Sequence, residues 1–287
     1  MTAPASTAIG PSIRIERHGA VGVLLMDRPE RFNALDVRMA QDLRSAGLKL
    51  ARDGEVRAVV LRGTGGKAFC SGADLKYIRG GGDGGDLAYL APGDRPRTAG
   101  YGAIFKQILE YLHSTISEIR RSPKPWVAAV DGVAAAGGLG LAMSCDLVVC
   151  SARSSFEWAY AKTALCGAES STFFLPRLVG FRRAMGMALL NPRLDAAQAR
   201  EWGLVNEVYP TEQFDEEVLA LAARLAALPT GSIAMTKALM NQAAGVDRLD
   251  WHLDQELESL ARSADSADFA EGIDAFFGKR AARFQGK

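Results

Sequence analysis

The sequence predicts an α/β fold, and three observations carry that expectation. Short apolar runs alternate with amphipathic helical patterns over residues 11–209. Near Pro210 the composition shifts, and helical patterns alone continue to the end. Between Trp126 and Gly140 a buried strand, a glycine turn and a helix start follow one another directly. A chain of 287 residues with 48% hydrophobic content can hold one large domain with a smaller helical appendage. The expected division is a loose, flexible tail over 1–10, a core over 11–209 and a helical region over 210–287.

The opening ten residues are small and polar, without the basic and apolar regions of a secretion signal. Residues 13–17 alternate and 21–26 are apolar, with His18-Gly19-Ala20 between them, which predicts a β-hairpin. Asp36 is a candidate N-cap for a helix carrying Val37, Met39, Ala40, Leu43, Leu48 and Leu50. A strand at 58–61 then leads into the glycine-rich stretch 63–75, at the strand end where open sheets place ligands. That stretch lacks the Gly-Lys-Ser/Thr ending of an ATP-binding loop. Glycines and prolines over 79–100 predict a mobile loop, either a lid or an insertion. Helical spacing from Ile104 to Ile119 puts His113 late on a helix that Pro123 and Pro125 end. After a strand at 147–150, residues 154–162 bring the chain back across the site region, and Glu169 stands where a further helical turn opens. Helices are expected over 182–190, 195–202, 212–228, 232–243, 248–262 and 265–277.

The chemistry suggested by the central stretch is anion binding. A helix beginning near Gly138 would aim unpaired N–H groups and its positive dipole end at whatever lies over Gly137. An oxygen developing negative charge suits that place, and tight packing of small residues is the alternative. A membrane span is not expected, because Asp131, Asp146 and the glycines interrupt the stretch. The net charge of +1 supplies no global field for nucleic acid or an anionic membrane. Cys70, Cys145, Cys150 and Cys166 show no CxxC spacing and only three histidines are present, so buried free thiols in a reducing cytosol are expected and no metal site is. No flavin or nicotinamide motif stands out.

Four ordered signatures resemble the crotonase (enoyl-CoA hydratase/isomerase) superfamily: DRPERFNAL at 27–35, GKAFCSGADL at 66–75, AAVDGVAAAGGLGLAMSCDL at 128–147, and LPRLVGFRRAM followed by AAQAREWGLVNEV. The closing AFFGKRAARF is similar to the family's last motif. The resemblance implies a crotonase-like spiral of ββα units and a C-terminal helical trimerisation region, with trimers often paired into hexamers. It implies an acyl-CoA ligand, with CoA as part of the substrate and no separate cofactor, and an oxyanion hole from the N–H groups of Ala73 and Gly137. Arg31, Phe32, Ala34, Ser71, Asp74 and Leu75 are then expected along the acyl-CoA site. So are Gly138, Gly140, Trp158, Tyr160, Ala168, Phe276 and Lys279, although Trp158 and Tyr160 read equally well as core aromatics.

The chain departs from the family pattern at its acids and bases. The two hydratase glutamates fall at Gly140 and Tyr160, and the isomerase carboxylate falls at Ala168 in ungapped register. Glu169 is the immediate neighbour, and a one-residue slip would turn it into the pocket; alternatively it is a helix N-terminal charge. His113 matches a water-handling histidine of the 4-chlorobenzoyl-CoA dehalogenase branch, or simply caps its helix. Because that branch's aspartate nucleophile also falls on Ala168, covalent aryl attack is not expected. The proton-transfer group is therefore expected at Glu169 first and His113 second. Two functions follow: an enzyme with hydratase-, isomerase- or related enolate chemistry, or an acyl-CoA-binding homologue with little catalysis.

Overall fold

The computed structural model describes residues 5–83 and 100–287. Eleven strands and eleven α-helices are found there: β1 (Ala5–Ala8), β2 (Ile13–His18), β3 (Val21–Met26), α1 (Val37–Arg52), β4 (Ala58–Gly63), β5 (Ala68–Cys70), α2 (Leu75–Arg79), α3 (Tyr101–Arg121), β6 (Trp126–Val130), β7 (Val133–Ala135) and α4 (Gly137–Met143). After these come β8 (Leu147–Ser151), β9 (Ser155–Glu157), α5 (Ser171–Val179), α6 (Phe181–Leu190), β10 (Arg193–Asp195), α7 (Ala196–Glu201), β11 (Glu207–Tyr209), α8 (Phe214–Ala227), α9 (Thr230–Ala243), α10 (Leu249–Ala264) and α11 (Ala267–Phe277).

The strands sort into two sheets, ordered β1-β2-β3-β4-β6-β8-β11 and β10-β9-β7-β5. Three successive strand pairs, β4/β5, β6/β7 and β8/β9, each give their first member to the large sheet and their second to the small one. Within both sheets these strands run parallel to their counterparts from the next pair. A chain that repeats strand, strand, helix and returns in parallel must wind as a spiral, which is the ββα architecture expected. The expected hairpin is present, with β2 antiparallel to β3 over Ile13↔Met26 to His18↔Val21.

Both faces of the large sheet are covered at its centre, so β3, β4, β6 and β8 are largely apolar rather than alternating. On one face Leu24, Val59, Trp126 and Ala128 join the main core with α1 and α3. On the other, Val23, Leu25, Val60 and Val127 meet Phe214, Val218 and Ala222 of α8. Asp36 caps α1 by accepting from the Met39 N–H at 2.8 Å. Replacing Asp36 with alanine is expected to cost about 1 kcal/mol of stability, measurable by denaturant unfolding.

Several expectations need correction. Residues 5–8 are not a loose tail, because β1 pairs antiparallel with β2 from Ala5↔Arg17 to Ala8↔Arg14. Nor are the helices after Pro210 an appendage. Besides α8 on the sheet, α10 buries Leu253 and Leu260, and α11 buries Phe269 and Ile273, in the main core. Leu219, Leu225 and Leu257 of these helices are partly buried against the two cores. Cys166 is exposed, whereas Cys70, Cys145 and Cys150 are buried. The short strands β10 and β11, not expected from the sequence, fall between the helices expected over 182–190, 195–202 and 212–228, since three residues carry too little periodicity to show. Most of the loop expected over 79–100 lies outside the described residues. No single helix among the described residues is long and apolar enough to cross a membrane.

Candidate active site

The two glycine-rich turns meet. After β5 the chain turns at Gly72, whose φ of +90° is open to glycine at no steric cost. Its neighbours are held by the 27–35 segment: Ser71 N–H donates to Phe32 O at 3.1 Å, Leu35 N–H to Gly72 O at 2.8 Å, and Asp74 N–H to Leu35 O at 2.8 Å. Opposite, β7 ends at Ala135, the next residue Ala136 has φ 46° and ψ −122°, and α4 begins at Gly137. That strained backbone is held where a β-carbon added to Gly72 would approach Ala136 Cβ to 2.8 Å and Gly137 N to 3.2 Å. The start of α4 is pressed equally hard onto β5, since a β-carbon on Gly138 would lie 2.0 Å from Cys70 O. Ala73 and Gly137 thereby line one cavity of about 460 Å³. The N–H of each meets no acceptor among the described residues.

Glu169 enters the same cavity. It sits in a turn of two successive left-handed residues, Glu169 at φ 52° and Ser170 at φ 62°. Such a turn rotates the carboxyl inward, which a straight register count through Ala168 does not reveal. Glu169 is only 2% exposed, and Tyr160 Oη donates a short hydrogen bond to its Oε2. Gly137 leaves room for the group, because a β-carbon there would stand 2.8 Å from Glu169 Oε1. Burial pushes the Glu169 carboxyl up to about 7, against the pull of the Tyr160 hydrogen bond and with a further push from the charge of Glu256.

The positions lacking hydratase glutamates acquire physical content. A β-carbon on Gly140 would fall 2.1 Å from Glu169 O, so the turn carrying Glu169 occupies the space a side chain at 140 needs. Tyr160, at the second position, spends its hydroxyl on Glu169 and on Ala168 O at 3.0 Å. Ala168 itself is buried behind the cavity, with its carbonyl also accepting from Ser171 Oγ at 2.5 Å. Trp158 likewise lies behind the lining, edge-on to Tyr160 at 5.0 Å between ring centroids.

Of the residues expected along the acyl-CoA site, Arg31, Phe32, Ala34, Ser71, Asp74, Leu75, Tyr160 and Phe276 line this cavity, and Gly138, Gly140, Trp158, Ala168 and Lys279 do not. Asp74 is chiefly structural. It caps α2 and pairs with Arg31 and Arg28, and although burial opposes it, these partners hold its carboxyl below the usual range. His113 is not brought to the site. Its place on α3 turns it toward α10, where Nε2 stands 3.9 Å from Glu256 Oε2 without a hydrogen-bond partner. Burial, helped by His252, lowers it to about 3, so it is neutral and faces away from the cavity. Lys76, Lys162 and Arg193 also line the cavity and were missed by sequence reasoning. Arg193 and Lys162 converge on buried Glu157, a pairing visible only once β9 and β10 lie side by side. A separate cavity of about 570 Å³ between α3 and α9 contains neither glycine-rich turn.

The family described as enoyl-CoA hydratase/isomerase matches residues 16–287. The chain belongs to that family, within the crotonase superfamily. It is 33% identical to the 1,2-epoxyphenylacetyl-CoA isomerase of Escherichia coli, over 93% of this chain and 95% of the relative. It is 32% identical to a 4-chlorobenzoyl coenzyme A dehalogenase of Arthrobacter, over 93% and 91%. Among solved structures, an enoyl-CoA hydratase from Mycobacterium avium subsp. paratuberculosis superposes with a TM-score of 0.81 at 31% identity, covering 96% of this chain and 98% of the other. These relatives differ in named reaction.

Proposed function

We propose that this family member is an acyl-CoA enzyme of the isomerase type, with Glu169 as its one proton-transfer group. The observation that carries the reading is a buried carboxyl in one cavity with two N–H groups that meet no acceptor among the described residues, and burial raises that carboxyl to about 7. The thioester oxygen of the substrate sits between Ala73 N–H and Gly137 N–H. On a 3-enoyl-CoA, the Glu169 carboxylate removes a proton from C2, and the electron pair moves onto the thioester oxygen as a dienolate. The two N–H donors stabilise that charge, a contribution of about 10² to 10³ in rate per donor in comparable holes. The Glu169 carboxyl then returns the proton at C4, leaving the 2-enoyl-CoA. Two-carboxylate hydration lacks its second group, because Gly140 has no room and Tyr160 is a phenol engaged with Glu169. CoA is carried by the substrate.

Incubating the protein with 3-hexenoyl-CoA tests the reading, with conversion to 2-hexenoyl-CoA followed by ultraviolet absorbance. Conversion is expected. Neither conversion nor solvent exchange of the C2 protons would leave a binding protein. Assembly as a trimer or hexamer is also proposed, on the exposure of Phe181, Leu189 and Leu190 on α6 and of Met235, Leu239 and Met240 on α9, where Leu190 reaches 81%. Light scattering is expected to give three or six protomers, and a monomer at working concentration would contradict it.

A further inference from the structure

The buried face of α10 carries Leu249, Leu253, Leu260 and Ala264, and in the middle of this apolar stripe stands Glu256, 3% exposed. A carboxylate in that place costs desolvation energy unless it is fully hydrogen-bonded. Its partners explain why it is there. Oε2 accepts from Ser170 N–H at 2.7 Å, and Oε1 accepts from Thr172 N–H at 3.0 Å and from Thr172 Oγ1. Those are the orphan donors at the start of α5, a nine-residue helix with no side-chain cap of its own at Ser170. Ser170, tied down in this way, is the second residue of the left-handed turn that presents Glu169, and Thr172 lies two residues beyond it.

We propose that Glu256 is the positioning residue of the site: from a remote helix it clamps the Glu169–Ser170 turn and so aims the Glu169 carboxyl at the substrate. The inference rests on Glu169 being the proton-transfer group. Two left-handed non-glycine residues in succession persist only if their surroundings over-determine them, and the Glu256 carboxylate supplies that constraint. Both of its oxygens accept, so a glutamine at 256 would turn an N–H₂ group toward a donor.

The same carboxylate acts on Glu169 electrostatically. The groups facing Glu256 are His113 from α3, His252 from its own helix with Nε2 at 3.7 Å, Thr172 from α5, and Glu169, Tyr160 and Cys166 from the 160–169 segment. Glu169 in turn faces Tyr160, Cys70 and Cys166. Burial lowers both histidines, with Arg177 adding to the effect on His252, so neither places a cation beside Glu256 at neutral pH. Burial raises the Glu256 carboxyl itself to about 7 against its hydrogen bonds from Thr172 and Ser170, so the two carboxyls titrate in one range; where Glu256 is ionised its charge opposes ionisation of Glu169, and removing it favours the Glu169 carboxylate.

The test compares Glu256→Gln and Glu256→Asp with the unaltered chain and with Glu169→Gln. Folding is followed by thermal unfolding, binding by calorimetry with butyryl-CoA, and turnover by 3-hexenoyl-CoA isomerisation against pH. Titration of the Glu169 carboxyl is followed by infrared spectroscopy, its band assigned as the one missing from Glu169→Gln. Glu256→Gln is expected to fold and bind butyryl-CoA, to lose about tenfold to 10² in turnover from misaimed chemistry, and to move both the acid limb and the infrared midpoint to lower pH. Glu256→Asp, which keeps the charge, is expected to hold the midpoint closer to the unaltered chain. Turnover lost with an unmoved midpoint, unchanged turnover, or failure of both variants to fold would each overturn the proposal. Full activity of Glu169→Gln would instead refute the catalytic reading, while the infrared midpoint would still decide whether Glu256 governs Glu169.

Discussion

Glu169→Gln is expected to lower 3-hexenoyl-CoA isomerisation by about 10² or more, within the range for loss of a general acid–base group, while leaving butyryl-CoA binding nearly unchanged. The amide keeps the size of the side chain and can still accept from Tyr160 Oη, so the turn and the cavity wall survive. What it loses is the ability to take a proton from C2 and return it at C4. The sign of the pH dependence follows from the same group. Removal of the C2 proton needs the carboxylate, and burial holds the Glu169 carboxyl near 7, so turnover of the unaltered chain should rise with pH through about 7. An ordinary exposed glutamate would place that limb near 4.3. A limb at that lower pH, or a Glu169→Gln variant of full activity, would remove Glu169 from the chemistry. Substituting His113 by alanine should not reproduce the loss, because its imidazole faces α10 rather than the cavity.

How far the site was legible in the sequence depended on the kind of signal each part leaves. The two glycine-rich turns announce themselves because close approach of neighbouring chain excludes side chains, and the glycines at 72 and 138 record that exclusion directly. The strands β3, β4, β6 and β8 are legible because a sheet covered on both faces is apolar without interruption. Glu169 stayed ambiguous because its direction is fixed by two left-handed residues, neither of them glycine, and nothing in Ala168-Glu169-Ser170 marks that turn. Its cause lies 86 residues away in Glu256, whose only trace is a charge at a position where the α10 stripe calls for leucine. His113 was misplaced for a related reason. Periodicity puts it on the buried side of α3, but burial against α10 and burial against the cavity give the same pattern. Likewise, the helices after Pro210 read as an appendage because an amphipathic stripe shows that a face is covered without showing by what.

Gly140 carries the second large effect. Installing a glutamate there, where hydratases of this superfamily are expected to have one, should not create hydratase activity and should damage the site already present. A β-carbon at 140 meets the carbonyl oxygen of Glu169 at 2.1 Å and its carbonyl carbon at 3.0 Å. Both are backbone atoms, so no rotamer change relieves the contact, and the Glu169 turn has to move. Gly140→Ala isolates this effect from charge, and its sign is diagnostic. In an unhindered helix interior, glycine to alanine stabilises by about 0.5–1 kcal/mol. Here overpacking against backbone should outweigh propensity and destabilise by about 1–3 kcal/mol, read as a lower denaturant midpoint at unchanged slope. The displaced turn carries the Glu169 carboxyl with it, so isomerisation should fall by about 10² even where the protein remains folded. Gly140→Glu combined with Tyr160→Glu should leave crotonyl-CoA unhydrated, since the first carboxylate cannot occupy its place without expelling the Glu169 turn. A Gly140→Ala variant with raised stability and full turnover would show that the Glu169 turn does not occupy this space.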